Sequence, residues 1–127
     1  MAIHTELALR LQNSPGALGQ VCRLLADGKV GIHALCLETG GNLRLVVDNP
    51  LSAAGILMDR QYVIEQRDVL FVQVPNATGA LYTATRLLSQ AGVNVEYAYG
   101  SALDDQGRAS VVVGVDDAQR AAMAAGL

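Results

Sequence analysis

Two short stretches of this chain carry residue types suited to holding a small dipolar ligand. Asn13-Ser14-Pro15-Gly16-Ala17-Leu18 and Asn76-Ala77-Thr78-Gly79-Ala80-Leu81 lie 63 residues apart, and each places an asparagine three residues before a glycine at the mouth of a predicted helix. A helix start leaves its first N–H groups without intrahelical partners and carries partial positive charge, so a carboxylate placed there gains hydrogen bonds and favourable electrostatics. The asparagines offer an amide donor and a carbonyl acceptor, one for a carboxylate and one for an ammonium group. Gly16 and Gly79 lack the Cβ that would hinder close approach. Adjoining strand edges, at Ile32 in the first stretch and at Asn94 and Val95 in the second, would add backbone carbonyls and amides for the ligand's ammonium group. The same residues also suit a purely structural role, because Asn, Ser and Thr commonly cap helices and proline commonly occupies the first turn.

Other chemistries find less support. His33 and Cys36 stand three apart, but no second paired motif completes a metal-binding spacing, so no metal site and no cofactor are expected. Cys22 falls on the apolar stripe of its helix, which favours a buried, inert thiol over a nucleophile. Asp104-Asp105 sits in a turn, and Asp116-Asp117 at a helix start, where acids are ordinary. Gly16-Ala17-Leu18-Gly19 has neither the lysine nor the spacing of a phosphate loop. No catalytic constellation emerges. Tyr97 and Tyr99 alternate with Ala98 and share a strand face, which suits an interface.

The elements that position these residues form an internal repeat. Leu7, Leu9 and Leu11 alternate in a predicted strand at 5–12 and return at the same offset as Leu70, Val72 and Val74. Leu18, Val21, Cys22 and Leu25 then mark the inner stripe of a helix closed by Asp27-Gly28. A strand from Ile32 to Glu38, a turn at Thr39-Gly40-Gly41-Asn42, a strand from Leu43 to Asp48, a helix from Pro50 through Met58 and a strand from Tyr62 to Gln66 complete the order βαββαβ. The second copy predicts a strand at 69–74, a helix at 79–90 with Leu81, Ala84, Leu87 and Leu88 inward, strands at 93–102 and 109–115, and a helix from Asp117. Domains of 1–67 and 68–127 follow. The second has no last strand of its own in this sequence, so the edge of strand 69–74 must be covered by a strand from the first copy, a partner chain or further residues.

Bulk properties narrow the function further. The chain has 127 residues, 51% of them hydrophobic, and a net charge of −3 without a basic run, which argues against nucleic acid. No apolar run approaches the roughly 18–20 residues that cross a bilayer, and the N-terminus lacks the pattern of a secretory signal. No membrane association is expected, and with two unpaired cysteines the expected setting is reducing and cytoplasmic. Units of about sixty residues are marginal alone. With Ile32, Ala34 and Cys36 on one face of its strand and Leu35 and Leu37 on the other, the chain is expected to be a homodimer.

A βαββαβ unit that opens with strand, Asn-x-x-Gly-x-Leu and amphipathic helix resembles the ACT domain, and two in series resemble tandem ACT proteins. Asn13, Pro15, Gly16 and Leu18 carry the likeness in the first copy, and Asn76, Gly79, Leu81 and Gly92-Val93-Asn94-Val95 in the second. Thr78 departs from the proline usual there, and Gly31 stands where the second copy has Asn94. The resemblance implies an α+β, ferredoxin-like fold, with antiparallel sheets and helices on one face. It also implies a small amino acid bound where ACT domains pair, and regulation of amino-acid metabolism by a non-catalytic sensor. The alternative it implies is a regulatory subunit that docks on a metabolic enzyme such as acetolactate synthase.

Overall fold

A computed structural model describes residues 1–101 and 103–126. In chain order its elements are β1 (Ala2–Arg10), α1 (Ala17–Asp27), β2 (Ile32–Leu37), β3 (Asn42–Val47), α2 (Pro50–Met58), β4 (Glu65–Pro75), α3 (Ala80–Gln90), β5 (Tyr97–Gly100), β6 (Arg108–Gly114) and α4 (Ala118–Ala124). The fold is α+β, and the paired strands run antiparallel. Two compact units emerge. The first is Thr5–Arg67; the second is Met1–His4 together with the residues from Asp68 onward.

In the first unit the strand order is β2-β3-β1-β4. Leu7 faces Leu45 and Leu9 faces Leu43 across β1 and β3, so both strands turn the same alternate residues toward the helices. There Val21, Leu25, Ala53 and Leu57 of α1 and α2 close over them in one core. α2 starts where its sequence requires. Asn49 Oδ1 accepts the N–H of Ser52 at 3.1 Å, and Pro50 supplies a fixed φ to the first turn.

The second unit repeats the plan as β1-β4-β6-β5, with Met1–His4 standing where a fourth strand belongs. Met1 and Ile3 pack against the core of Leu70, Val72, Leu88 and Val113, and the His4 ring lies 4.5 Å from that of Phe71. The open edge expected at 69–74 is therefore covered by the start of the chain, one of the three covers foreseen.

Several boundaries differ from the sequence reading. The strands expected at 62–66 and 69–74 fuse into one β4 that begins only at Glu65, because Gln61 at φ 69° turns the chain and Tyr62 N–H still donates to Leu57 O at 3.2 Å. β5 starts at Tyr97 instead of 93; the expected end of that strand at Ala102 lies outside the described residues. Leu81 and Leu87, placed inward by periodicity, are exposed, and Leu88 alone on α3 is fully buried. Cys22 and Cys36 are free thiols, each only partly buried.

Candidate functional site

Both asparagine loops fold into the same turn. Helix α1 opens after Gly16 at φ 84° and ψ −3°, and helix α3 after Gly79 at φ 84° and ψ −5°. Ser14 O accepts the N–H of Ala17 at 3.3 Å, and Ala77 O accepts that of Ala80 at 3.2 Å. No side chain caps either helix. The expected cap by asparagine is thus replaced by a left-handed glycine, and Pro15 lies before the helix instead of in its first turn. The physical reason is steric. A φ in this region is open to glycine and strained for residues with a Cβ. A Cβ at Gly16 or Gly79 would meet no atom within 4 Å, so conformation, and not crowding, selects glycine here.

Without a side-chain cap, the next N–H groups of each helix, at Leu18 and Gly19 and at Leu81 and Tyr82, have no side-chain acceptor. Asn13, Ser14, Pro15 and Gly16 are exposed, as are Asn76, Ala77, Thr78 and Gly79, while Ala17, Leu18 and Ala80 are half-buried. In the first unit the loop borders a cavity of about 190 Å³. Asn13, Ser14, Gly16 and Leu18 form one wall, and Leu37 at the end of β2 with Glu38 and Thr39 of the connection after it form the other.

That second wall escaped the sequence reading. Leu11 N–H donates to Gly41 O at 2.7 Å, and Gly41 N–H to Glu38 O at 2.9 Å, which ties the turn to the end of β1. Glu38 is further held by Arg44, whose Nε lies 3.4 Å from its Oε1 while Nη1 donates to Glu6 Oε1 at 3.2 Å. The Glu6 side chain is fully buried. The signal that could have revealed this wall is the paired register, which sets Leu37 opposite Leu43 and brings the turn to the loop.

Ile32 is not brought to this cavity. It pairs with Val47 at the far end of β2, just past the end of α1, whereas the loop lies by Leu37 and Gly41. Asn94 and Val95 stand likewise beyond the end of α3, before β5, and are exposed. Within one unit, then, each loop and its strand-start residues sit at opposite ends of the helix.

Among the described residues no three of His, Cys, Asp and Glu cluster so as to hold a metal ion. No helix among them is long and apolar enough to cross a membrane.

Comparisons bear on what this geometry serves. A family model described as an ACT domain pair matches residues 1–124. The crystal structure of protein BT0572 from Bacteroides thetaiotaomicron is similar at a TM-score of 0.84 and 30% identity, over 96% of this chain and 85% of that one. The regulatory subunit of aspartate kinase from Thermus thermophilus, in a ligand-free form, matches at a TM-score of 0.70 and 18% identity, over 98% of this chain and 92% of that one. The corresponding subunit from Thermus flavus matches at 0.65 and 16%, over 98% and 93%. At these identities the two Thermus subunits speak to the fold alone. No curated protein matches.

Proposed function

The chain belongs to the ACT domain pair family, and from that premise we propose that it is a non-catalytic sensor that binds a small amino acid at ACT–ACT interfaces and regulates amino-acid metabolism. The observation that carries this reading is the uncapped helix start, repeated at Gly16 and Gly79 with the same backbone angles. Free N–H groups at a helix start suit a carboxylate. Asn13 and Asn76 stand beside them with a donor and an acceptor each, and no side-chain cap engages either one.

The ligand's ammonium group would meet strand-start backbone at Ile32, or at Asn94 and Val95. Since each of these lies at the far end of its own unit's helix, the strand edge must come from an ACT unit other than the one supplying the loop. We place the division between ACT domains near residue 67, and we take a homodimer and a cytoplasmic setting as part of the same reading. Regulatory subunits of aspartate kinase share the fold, in keeping with a regulatory reading.

The second reading is a subunit that docks on a metabolic enzyme, acetolactate synthase being one example. It is favoured by Leu81, Tyr82 and Leu87 on α3, large side chains left exposed among the described residues.

A thermal-shift screen against the twenty amino acids tests the first reading. A ligand at a hundred times its Kd raises stability by about 2.7 kcal/mol. Asn13→Ala and Asn76→Ala are expected to weaken binding while leaving the melting temperature of the free chain nearly unchanged. Normal binding in both variants would place the ligand away from these loops.

A further inference from the structure

The asparagine loops leave a second, larger cavity unused. It measures about 550 Å³, within the range of about 300–1,000 Å³ usual for small-molecule sites. It lies wholly in the first unit, where Ala8 and Arg10 of β1 and Asn42 of β3 face Gln61, Tyr62 and Glu65 on the segment entering β4. Its origin is the late start of β4. Residues 62–64 belong to no strand, so the chain approaching β4 leaves a gap beside the end of β1. None of its lining residues belongs to the asparagine loops.

The polar groups around the gap are mostly unused by the protein. Arg10 Nη2 donates to Gly40 O at 2.9 Å, which leaves the other N–H groups of a donor-only guanidinium for a second acceptor. The Glu65 carboxylate is acceptor-only. The side chains of Glu65, Asn42 and Gln61 have no hydrogen-bond or ion-pair partner among the described residues. Arg10 and Glu65 therefore line one cavity without closing on each other. Tyr62 packs against the core of this unit, which holds its ring as an aromatic wall.

The second copy shows that the fold does not need this set. At the repeat's offset Phe71 stands for Ala8 and Gln73 for Arg10. Met1–His4, which takes the place of a fourth strand there, brings no carboxylate to match Glu65. Of the two copies, the first alone combines a small residue with the charged pair.

We propose that this cavity takes the ring of a guanine nucleoside. A flat heterocycle carries donors and acceptors around its rim and a face that stacks on an aromatic side chain, which is what the polar groups and the Tyr62 wall call for. On guanine, N7 and O6 form an acceptor pair suited to a guanidinium, and the adjoining N1–H and N2–H form a donor pair suited to a carboxylate. Arg10 takes the first pair and Glu65 the second. Adenine sets its N6 donor between two acceptors, N7 and N1, and offers neither charged group a matching pair. The net charge of −3, and the lack of a second cation among the lining residues, favour a free nucleoside over a nucleotide or a nucleic acid. The site does not depend on the asparagine loops.

Equilibrium dialysis of the whole chain against guanosine, inosine, adenosine and GMP tests the assignment. Guanosine is expected to bind about tenfold or more tighter than adenosine, the scale on which one bidentate base contact discriminates. Inosine, which lacks the N2 amino group, is expected to fall between them, and GMP to bind no tighter than guanosine. Arg10→Gln, which introduces the second copy's residue, and Glu65→Gln are each expected to weaken guanosine binding about tenfold. Glu65→Gln should also erase the preference over adenosine. Both positions are exposed, so the fold is expected to hold. Should either variant fail to fold, the ratio of guanosine to adenosine affinity in the parent chain decides. No guanosine bound at millimolar concentration, equal binding of adenosine, or unchanged affinity in either folded variant would overturn the proposal. Tighter binding of GMP would overturn it too, by moving Arg10 onto a phosphate. Amino acids are not among these probes, so the loop site stands or falls by its own screen.

Discussion

Gly16 and Gly79 each hold a φ of 84° where a helix begins. Left-handed backbone costs an L-residue about 1–2 kcal/mol. Gly16→Ala and Gly79→Ala are each expected to lower stability by about that much, seen in urea unfolding as an earlier midpoint with an unchanged slope. Because a Cβ at either position meets no atom within 4 Å, the loss would be backbone strain, not collision. This detail was only half legible in the sequence. The Asn-x-x-Gly spacing marked both loops, since two copies at one offset single out the shared geometry. It did not show which residue opens the helix, because Asn13 and Gly16 both suit a start and only backbone angles tell them apart. The Glu6–Arg44–Glu38 chain was not legible at all. Its members lie on β1, on β3 and in the turn before β3, and the register that assembles them is a tertiary fact.

Among the elements, α2 was read from sequence to both of its ends, since Asn49 and Pro50 carry strong start signals. Strand ends were read less well. Alternation shows which side chains turn inward, as with Val93, which packs against the second core, but not where a ladder partner begins. β5 pairs with β6 only from Tyr97 to Gly100. The connection between these two strands carries its own electrostatic signature. Asp104 Oδ1 accepts the N–H of Arg108 at 2.8 Å and of Gln106 at 2.9 Å. Those backbone hydrogen bonds, that from Arg108 first, hold its pKa below the ordinary carboxylate value. A carboxyl with a lowered folded pKa contributes stability that is fully present above its unfolded pKa, about 3.9, and is lost as pH falls through the folded one. Asp104→Asn is therefore expected to be less stable than the parent chain at neutral pH. The gap should shrink as acid protonates the parent, as followed by chemical unfolding across that pH range.

For the whole molecule, the second unit depends on residues far from it in sequence. Removal of Met1–His4 would strip Met1 and Ile3 from the core around Leu70 and uncover β4. A fully buried isoleucine is worth about 1.5–3 kcal/mol, and Ile3 is half-buried, so a loss of about 1 kcal/mol or more is expected. Aggregation measured by light scattering should rise as well, because the bare strand has no charge or proline from Val69 to Val74 to discourage pairing. The same unit offers an interface. Tyr97 and Tyr99 stack in parallel at 6.4 Å with 8° between their planes, beside Val112 on the face opposite the helices. Light scattering is expected to give the mass of a homodimer, and Tyr99→Glu to shift it toward monomer; a parent chain that is monomeric at micromolar concentration would exclude that assembly.

The sharing of β1 and β4 also constrains how this protein can be made and dissected. Residues 1–4 have their partners in the second half of the chain, so they must wait for β4 to be synthesised before they can settle. Such long-range closure slows folding relative to local contacts. A break after Arg67 would fall inside β4 and leave the downstream fragment without its covering strand. A gene split at that point should yield two halves that recover the native fold only when expressed together.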